Sequence, residues 1–446
     1  MKTTLLFCML AILICGCEKK LSEPTTITAN NPEAPTDTLS AIALRAYKLP
    51  DSDDFNAIPQ DPRNPLTADK VALGKLLFHE TRLGTTNLDP QGLHTYSCAT
   101  CHHAEAGFQS GLAQAIGEGG VGFGATGEGR KANPLYAIGL IDVAPLRTPS
   151  VLNTAYQEVM MWSGQFGGTG VNKGTEASWT PGTPKYNNSY GYQGLETTGL
   201  SAETRHRLVP DTAWLASSPV YKHLFNAAFN ELPVKERISN LTVALAIAAF
   251  ERTVLPNQSP FQQWLRGDNN AMTKDEQDGK AIFFGKGNCS SCHSGPGLNA
   301  MAFYSLGFSD LADGVGGAFN VPDRATEFLG RGGFTNKKAD MFKFKTPQLY
   351  NLKDVKYLGH GSSFTSVTDV IRYMNNAVPQ NKNVPASQLA EQFKPLNLTE
   401  TEINKLTIFV ENALYDPSLS RYVPEALPSG NCIPNNDAQS KKDRGL

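Results

Sequence analysis

Ser97-Cys98-Ala99-Thr100-Cys101-His102 and Asn288-Cys289-Ser290-Ser291-Cys292-His293 are the two stretches on which the reading of this chain turns. Each places two cysteines three positions apart and a histidine directly after the second, the CxxCH pattern by which c-type haem is attached. The spacing has a physical cause. Two thiols so placed reach the two vinyl-derived carbons on one edge of a porphyrin, and the adjacent imidazole then meets the iron as its proximal ligand. From average composition one such match arises by chance roughly a few times in a thousand, so two are not accidental. A zinc knuckle or a thioredoxin-type dithiol would not require the histidine. The pair implies two covalently bound haem c groups, one on Cys98, Cys101 and His102, the other on Cys289, Cys292 and His293.

The flanking text repeats as well. Thr67 is a helix N-cap ahead of Val71, Leu73, Leu76, Leu77 and Phe78, and Thr273-Lys274-Asp275-Glu276 is a capping box ahead of Ile282, Phe283 and Phe284. Gly74-Lys75-Leu76-Leu77-Phe78 and Gly279-Lys280-Ala281-Ile282-Phe283 read as copies of one element that leads into each cysteine pair. Leu241 to Val254 is a further helix, stopped before Pro256, and Thr399 caps another that carries Ile403, Leu406, Phe409 and Val410. Two stretches, Gly107 to Gly129 and Gly167 to Gly191, have no apolar period and read as long loops. The expected fold class is mainly α: two related c-type cytochrome domains with long irregular loops and little strand.

At 446 residues, 40% hydrophobic and 18% charged, the chain is long enough for two cores. Its net charge of −2, without a long basic run, excludes nucleic acid as a partner class. At the N-terminus, Lys2 precedes an apolar run from Leu5 to Ile14, too short to span a bilayer, and Gly16-Cys17 follows. This resembles a bacterial lipoprotein signal, which implies loss of residues 1–16, a lipid anchor on Cys17 and residence on the periplasmic side of a bacterial membrane. Of eight cysteines, Cys8, Cys15 and Cys17 belong to the signal and four to the CxxCH pairs, which leaves Cys432. The expected organisation is a signal at 1–16, a flexible tether at 17–45, an N-terminal haem domain at 46–262, a C-terminal haem domain at 263–426 and a polar, poorly ordered tail at 427–446.

The chain resembles the bacterial dihaem cytochrome c peroxidases, a family that includes the dihaem enzymes maturing tryptophan-derived cofactors. The phrases that carry the resemblance, in order, are Asn64-Pro65-Leu66-Thr67, Thr148-Pro149-Ser150-Val151-Leu152-Asn153, Ala248-Ala249-Phe250-Glu251-Arg252, Ser259-Pro260-Phe261 and Phe344-Lys345-Thr346-Pro347. The resemblance implies that the N-terminal haem is peroxidatic, reducing hydrogen peroxide to water, and that the C-terminal haem relays electrons from a small cytochrome c or copper protein (a cupredoxin). Peroxide-dependent oxidation of a partner protein or organic molecule, and simple electron carriage by a dihaem protein, stay open beside it, as does a homodimer.

The resemblance also implies site residues. Met374 falls on the second axial ligand of the C-terminal haem, where the cofactor-maturing relatives have tyrosine, and Tyr373 keeps that alternative alive. Trp162 falls between the haems, and Glu196 falls on the distal acid that moves the peroxide proton. Gln193 is not given a role. Many relatives close the first iron with a loop histidine, but Ala104 to Val159 contains no His or Met. The first haem is therefore expected to be open. Where relatives bind calcium through an asparagine this chain has Arg147, which puts calcium in doubt. His79, His94, His103, His206, His223 and His360 read as surface or structural residues.

Overall fold

The computed structural model describes residues 41–311, 318–321 and 325–446. The signal, Cys17 and most of the expected tether lie outside them. Among the described residues twelve α-helices occur: α1 (Ala41–Arg45), α2 (Ala68–His79), α3 (Gly194–His206), α4 (Thr212–Ser217), α5 (Pro219–Ala228), α6 (Asn240–Arg252), α7 (Pro260–Leu265), α8 (Lys274–Phe284), α9 (Arg331–Thr335), α10 (Val367–Asn376), α11 (Glu400–Ile408) and α12 (Ala438–Asp443). Strand is confined to two antiparallel pairs of two residues each, β1 (Gly120–Val121) with β2 (Lys131–Ala132) and β3 (Phe303–Tyr304) with β4 (Phe344–Lys345). The chain is helix-dominated with little strand, as its periodicities predict. The final residues of the expected tether instead form α1, whose Leu44 is buried.

Local signals set the helix ends. The Thr67 hydroxyl accepts from Lys70 N at the start of α2. Thr273 and Glu276 form a reciprocal box at α8, and Thr399 and Glu402 form another at α11. Each box satisfies backbone donors that a helix start leaves unpaired.

The repeated Gly-Lys element has a packing reason. A Cβ on Gly74 would collide with the carbonyl oxygen of Ala246, so α2 lies directly against the backbone of α6. A Cβ on Gly279 would collide with the carbonyl oxygen of Lys405, so α8 lies against α11 in the same way. Both CxxCH turns thus follow a helix clamped by its glycine to a partner helix. The two pairs share one continuous apolar core, in which Phe409 of the turn after α11 meets both Phe261 and Phe283 edge-on or tilted at 5.4–5.5 Å.

The polar C-terminal residues are not loose. Asn436 N donates to Thr95 O (3.0 Å), and Asp437 and Asp443 accept from the backbone of Gly122, Phe123 and Gly124 at 2.8–3.1 Å. Arg444 pairs with Glu105 at 2.8 Å. Residues 429–446 form a strap across the loop that bears the first cysteine pair. Its order comes from side chains that satisfy distant backbone groups, which composition cannot reveal.

Candidate functional site

The first motif is a tight turn, Cys98–Thr100, fixed from both sides. Ser97 N donates to Thr100 Oγ1 (2.9 Å), Ser97 Oγ to Pro434 O (3.2 Å), and Thr100 Oγ1 lies 2.6 Å from the Asn435 side-chain amide. His102 Nδ1 is 3.4 Å from Phe108 O. This contact orients the ring and leaves Nε2 for a ligand. Burial pushes the imidazole down to about 4, so it stays neutral, as an iron ligand must be. Burial also pushes the thiols of Cys98 and Cys101 up to about 12, and that of Cys289 likewise. A redox dithiol needs the opposite shift. Among the described residues no three His, Cys, Asp or Glu side chains converge as a zinc knuckle would require.

The second motif is built alike. His293 Nδ1 is 3.0 Å from Leu298 O and 3.1 Å from Pro347 O. Cys289, Cys292 and His293 line a cavity of about 270 Å³, and Met374, projecting from α10, lines the same cavity. Aliphatic side chains make up part of its other walls, among them Val370, Ile371, Leu396 and Val410. The neighbouring Tyr373 is absent from that lining. Its hydroxyl donates to Leu306 O (2.6 Å) and its ring packs among Phe308, Phe364 and Phe393. A cavity beside paired thiols, with an oriented imidazole and a thioether on its walls, fits a haem with His and Met ligands.

Trp162 lines this cavity too, as do Gln109, Pro149 and Ser150. Its Nε1 donates to Arg147 O (2.7 Å), and the Arg147 guanidinium sits 5.5 Å from its ring centre. Arg147 Nε donates to Gly359 O (2.8 Å) and Nη1 to Gln109 Oε1. A buried cation thus occupies the place that the resemblance assigns to a calcium-binding asparagine. Lys345, which sequence reasoning passed over inside its quoted phrase, also lines the cavity. Its ammonium donates to Val159 O (2.8 Å) and to Gln157 Oε1, and burial pushes it down to about 7. His360, which also lines the cavity, stacks on Phe344 at 3.6 Å and meets Asp310 at 3.1 Å.

Glu196 is not beside open space. It is fully enclosed on α3, where Oε2 accepts from Arg252 Nη2 (2.8 Å) and Oε1 from Arg252 Nε and Nη2 and from Asn64 Nδ2 at 3.0–3.2 Å. Gln193 Oε1 takes another Arg252 donor at 3.1 Å. Asn64 and Arg252, two of the phrases that carry the resemblance, thus converge on one buried ion pair. Next to it, burial and the charge of Glu196 push the Glu251 carboxyl up to about 8.

Sequence reasoning also passed over His206, the last residue of α3. Its Nδ1 lies 2.9 Å from Asp142 Oδ2. No local signal marks the pair, because Asp142 belongs to an aperiodic loop 64 positions away.

Comparison with known proteins agrees with this arrangement. Residues 68–270 match the family model described as di-haem cytochrome c peroxidase. Over 412 residues the chain is 28% identical to the methylamine utilization protein MauG of Methylorubrum extorquens, which covers 92% of this chain and 94% of that one. It is 27% identical over 398 residues to the cytochrome-c peroxidase IdrP1 of Denitromonas iodatirespirans, covering 84% and 89%. In fold it is similar to the crystal structure of a MauG-like protein associated with microbial copper homeostasis, with a TM-score of 0.60 and 24% identity over 85% of this chain and 98% of that one. With two CxxCH turns in matching helical settings, and relatives of both the peroxidase and the MauG kind along most of its length, the chain is similar to the di-haem cytochrome c peroxidases, whose family model matches it over residues 68–270.

Proposed function

We propose that this protein is a dihaem c-type peroxidase that reduces hydrogen peroxide to water with electrons from a small redox protein, a cytochrome c or a cupredoxin. One haem would be held by Cys98, Cys101 and His102 in a domain spanning 46–262, the other by Cys289, Cys292, His293 and Met374 in a domain spanning 263–426. Bound haem supplies the redox chemistry that side chains lack. The protein's part is to hold the imidazoles neutral and aimed, to wall the second site with aliphatic side chains, and to place Trp162 between the two motifs.

The observation that carries this reading is the choice between neighbours on α10. Met374 lines the cavity of the second motif, whereas Tyr373 is committed to Leu306 O and an aromatic cluster. A thioether opposite histidine favours ferrous iron and a high potential, suited to accepting electrons. Tyrosine at that place would favour the cofactor-maturing alternative instead. The guanidinium of Arg147 supports a structure held without calcium. A lipid on Cys17 would keep the enzyme on the periplasmic side of the membrane, and Cys17→Ala would then shift it from the membrane fraction to the soluble one.

Electron paramagnetic resonance of the fully oxidised holoprotein tests the assignment. One high-spin and one low-spin signal are expected, from an open first iron and a His/Met second iron. Two low-spin signals, with no reaction on adding peroxide, would point to an electron carrier.

A further inference from the structure

The end of α3 is anchored in an unusual way. His206 is its last residue, and Arg207, which follows, adopts a left-handed backbone (φ 54°) that turns the chain away. Tyr96, two residues before Cys98, donates its hydroxyl to His206 O at 2.6 Å, tying this helix end to the first haem-attachment turn. Asp142 is fixed just as firmly. Its backbone N donates to Glu118 O and its O accepts from Gly117 N, each at 2.9 Å. Burial alone would raise the Asp142 carboxyl, but His206, Arg207 and Arg205 outweigh it and hold it below the ordinary aspartate range. It is a carboxylate at neutral pH.

A carboxylate on Nδ1 selects one tautomer, with the proton on Nδ1 and a free lone pair on Nε2. The imidazole itself is partly open, with 40% of the side chain exposed. Beside it the Arg205 guanidinium is enclosed, with its Nε buried and without a hydrogen-bond partner, 5.6 Å from the Phe166 ring. Arg207 is spoken for, by Glu118 and by Leu140 O (3.1 Å). The group is tied to the first motif by geometry, through the hydroxyl of Tyr96, two residues before Cys98, that donates to His206 O. A base with an orienting carboxylate and an uncommitted cation is the set that a protic, charge-developing ligand calls for. Glu196, by contrast, would have to break a buried ion pair before it could accept a proton.

We propose that His206, oriented by Asp142 and flanked by Arg205, handles the proton of a small protic ligand, hydrogen peroxide above all, at the first haem. The proposal rests on the peroxidase reading given above. Nε2 would take the proton from one oxygen of the peroxide and return it to the other. The O–O bond then breaks with departure of water rather than hydroxide. The two electrons and the two protons that turn the remaining oxygen into the second water come from the donor and solvent. Arg205 steadies the negative charge that develops as the bond lengthens, and Asp142 is a positioning residue.

Hydrogen cyanide reports on proton handling without turnover, since it must lose a proton to bind ferric iron. In the oxidised holoprotein, H206Q is expected to keep the high-spin signal of the first haem and to slow cyanide association and peroxide cleavage by about 10²–10⁴-fold. D142N is expected to slow both by less, with the same signal. Added imidazole is expected to restore part of the rate in H206A. Unchanged cyanide and peroxide rates in H206Q would overturn the inference while leaving the peroxidase reading intact. Conversion of a low-spin to a high-spin signal in H206A would overturn it differently, by making His206 an iron ligand. A wild-type protein whose first haem takes up neither cyanide nor peroxide in any redox state would sink both the peroxidase reading and the inference.

Discussion

The surroundings of Cys98–His102 and of Cys289–His293 share a scaffold and differ in everything that faces it. In both, a capped helix is pressed by a glycine onto the backbone of a partner helix, and a CxxCH turn follows. Near the first turn stand Tyr96, Asp142, Arg205 and His206, a charged and hydrogen-bonded group. Around the second stand Met374 and aliphatic side chains from α10 and α11. The helix pair fixes where a haem would be held. Segments recruited from elsewhere in the chain supply the side chains beside it, charged and hydrogen-bonded in one case and a thioether with aliphatic groups in the other.

The sharpest way to break the comparison is to remove one attachment site at a time. C98S with C101S, and separately C289S with C292S, should each leave one covalent haem per chain, measured by mass and by the pyridine haemochrome. A variant that keeps both would show the two turns are not equivalent holders.

Next in size is Arg252→Ala. It strands the enclosed Glu196 carboxylate, and breaking a buried pair in this way costs about 3–5 kcal/mol. Urea unfolding should show that loss. A cost below about 1 kcal/mol would mean that Glu196 is free to leave the pair.

The shared scaffold is tested by G74A and G279A. Each new methyl meets a carbonyl oxygen across a helix contact, and overpacking of this kind costs about 1–3 kcal/mol. The two losses of thermal stability should match. A clear inequality would say that only one helix pair depends on close approach.

The smallest effects separate the neighbours on α10. Y373F removes the hydroxyl that donates to Leu306 O and accepts from Gln380 N, contacts worth about 0.5–1.5 kcal/mol each, and should leave both haem potentials in place. M374A should lower the potential of one haem in a redox titration, because the thioether is lost. If both potentials survive M374A, the ligand is another residue.

What could be read in the sequence is what is encoded locally. Thr67, Thr273 and Thr399 announce helix starts because a cap and its partner lie within three residues. The two CxxCH motifs are legible for the same reason. The partner of Glu196 is 56 positions away and that of His206 is 64, so the first read as an available acid and the second as a surface histidine. The polar tail read as disordered because its apolar content is low, yet its carboxylates satisfy the backbone of a glycine-rich loop more than 300 positions earlier. The helix pairs were legible and the far side of the first haem was not, since only tertiary contacts define it.

The strap has a consequence for the order in which this molecule is made. The residues that brace the turn at Cys98 follow it by more than 300 positions, and contacts of such sequence separation form only once the intervening chain is in place. Until then the first attachment turn lacks its outer wall, while the second, whose partner helix α11 follows it by little more than a hundred residues, can be completed earlier. Maturation of the first site therefore has a natural window that arrival of residues 429–446 closes, and a chain lacking them would leave that window open.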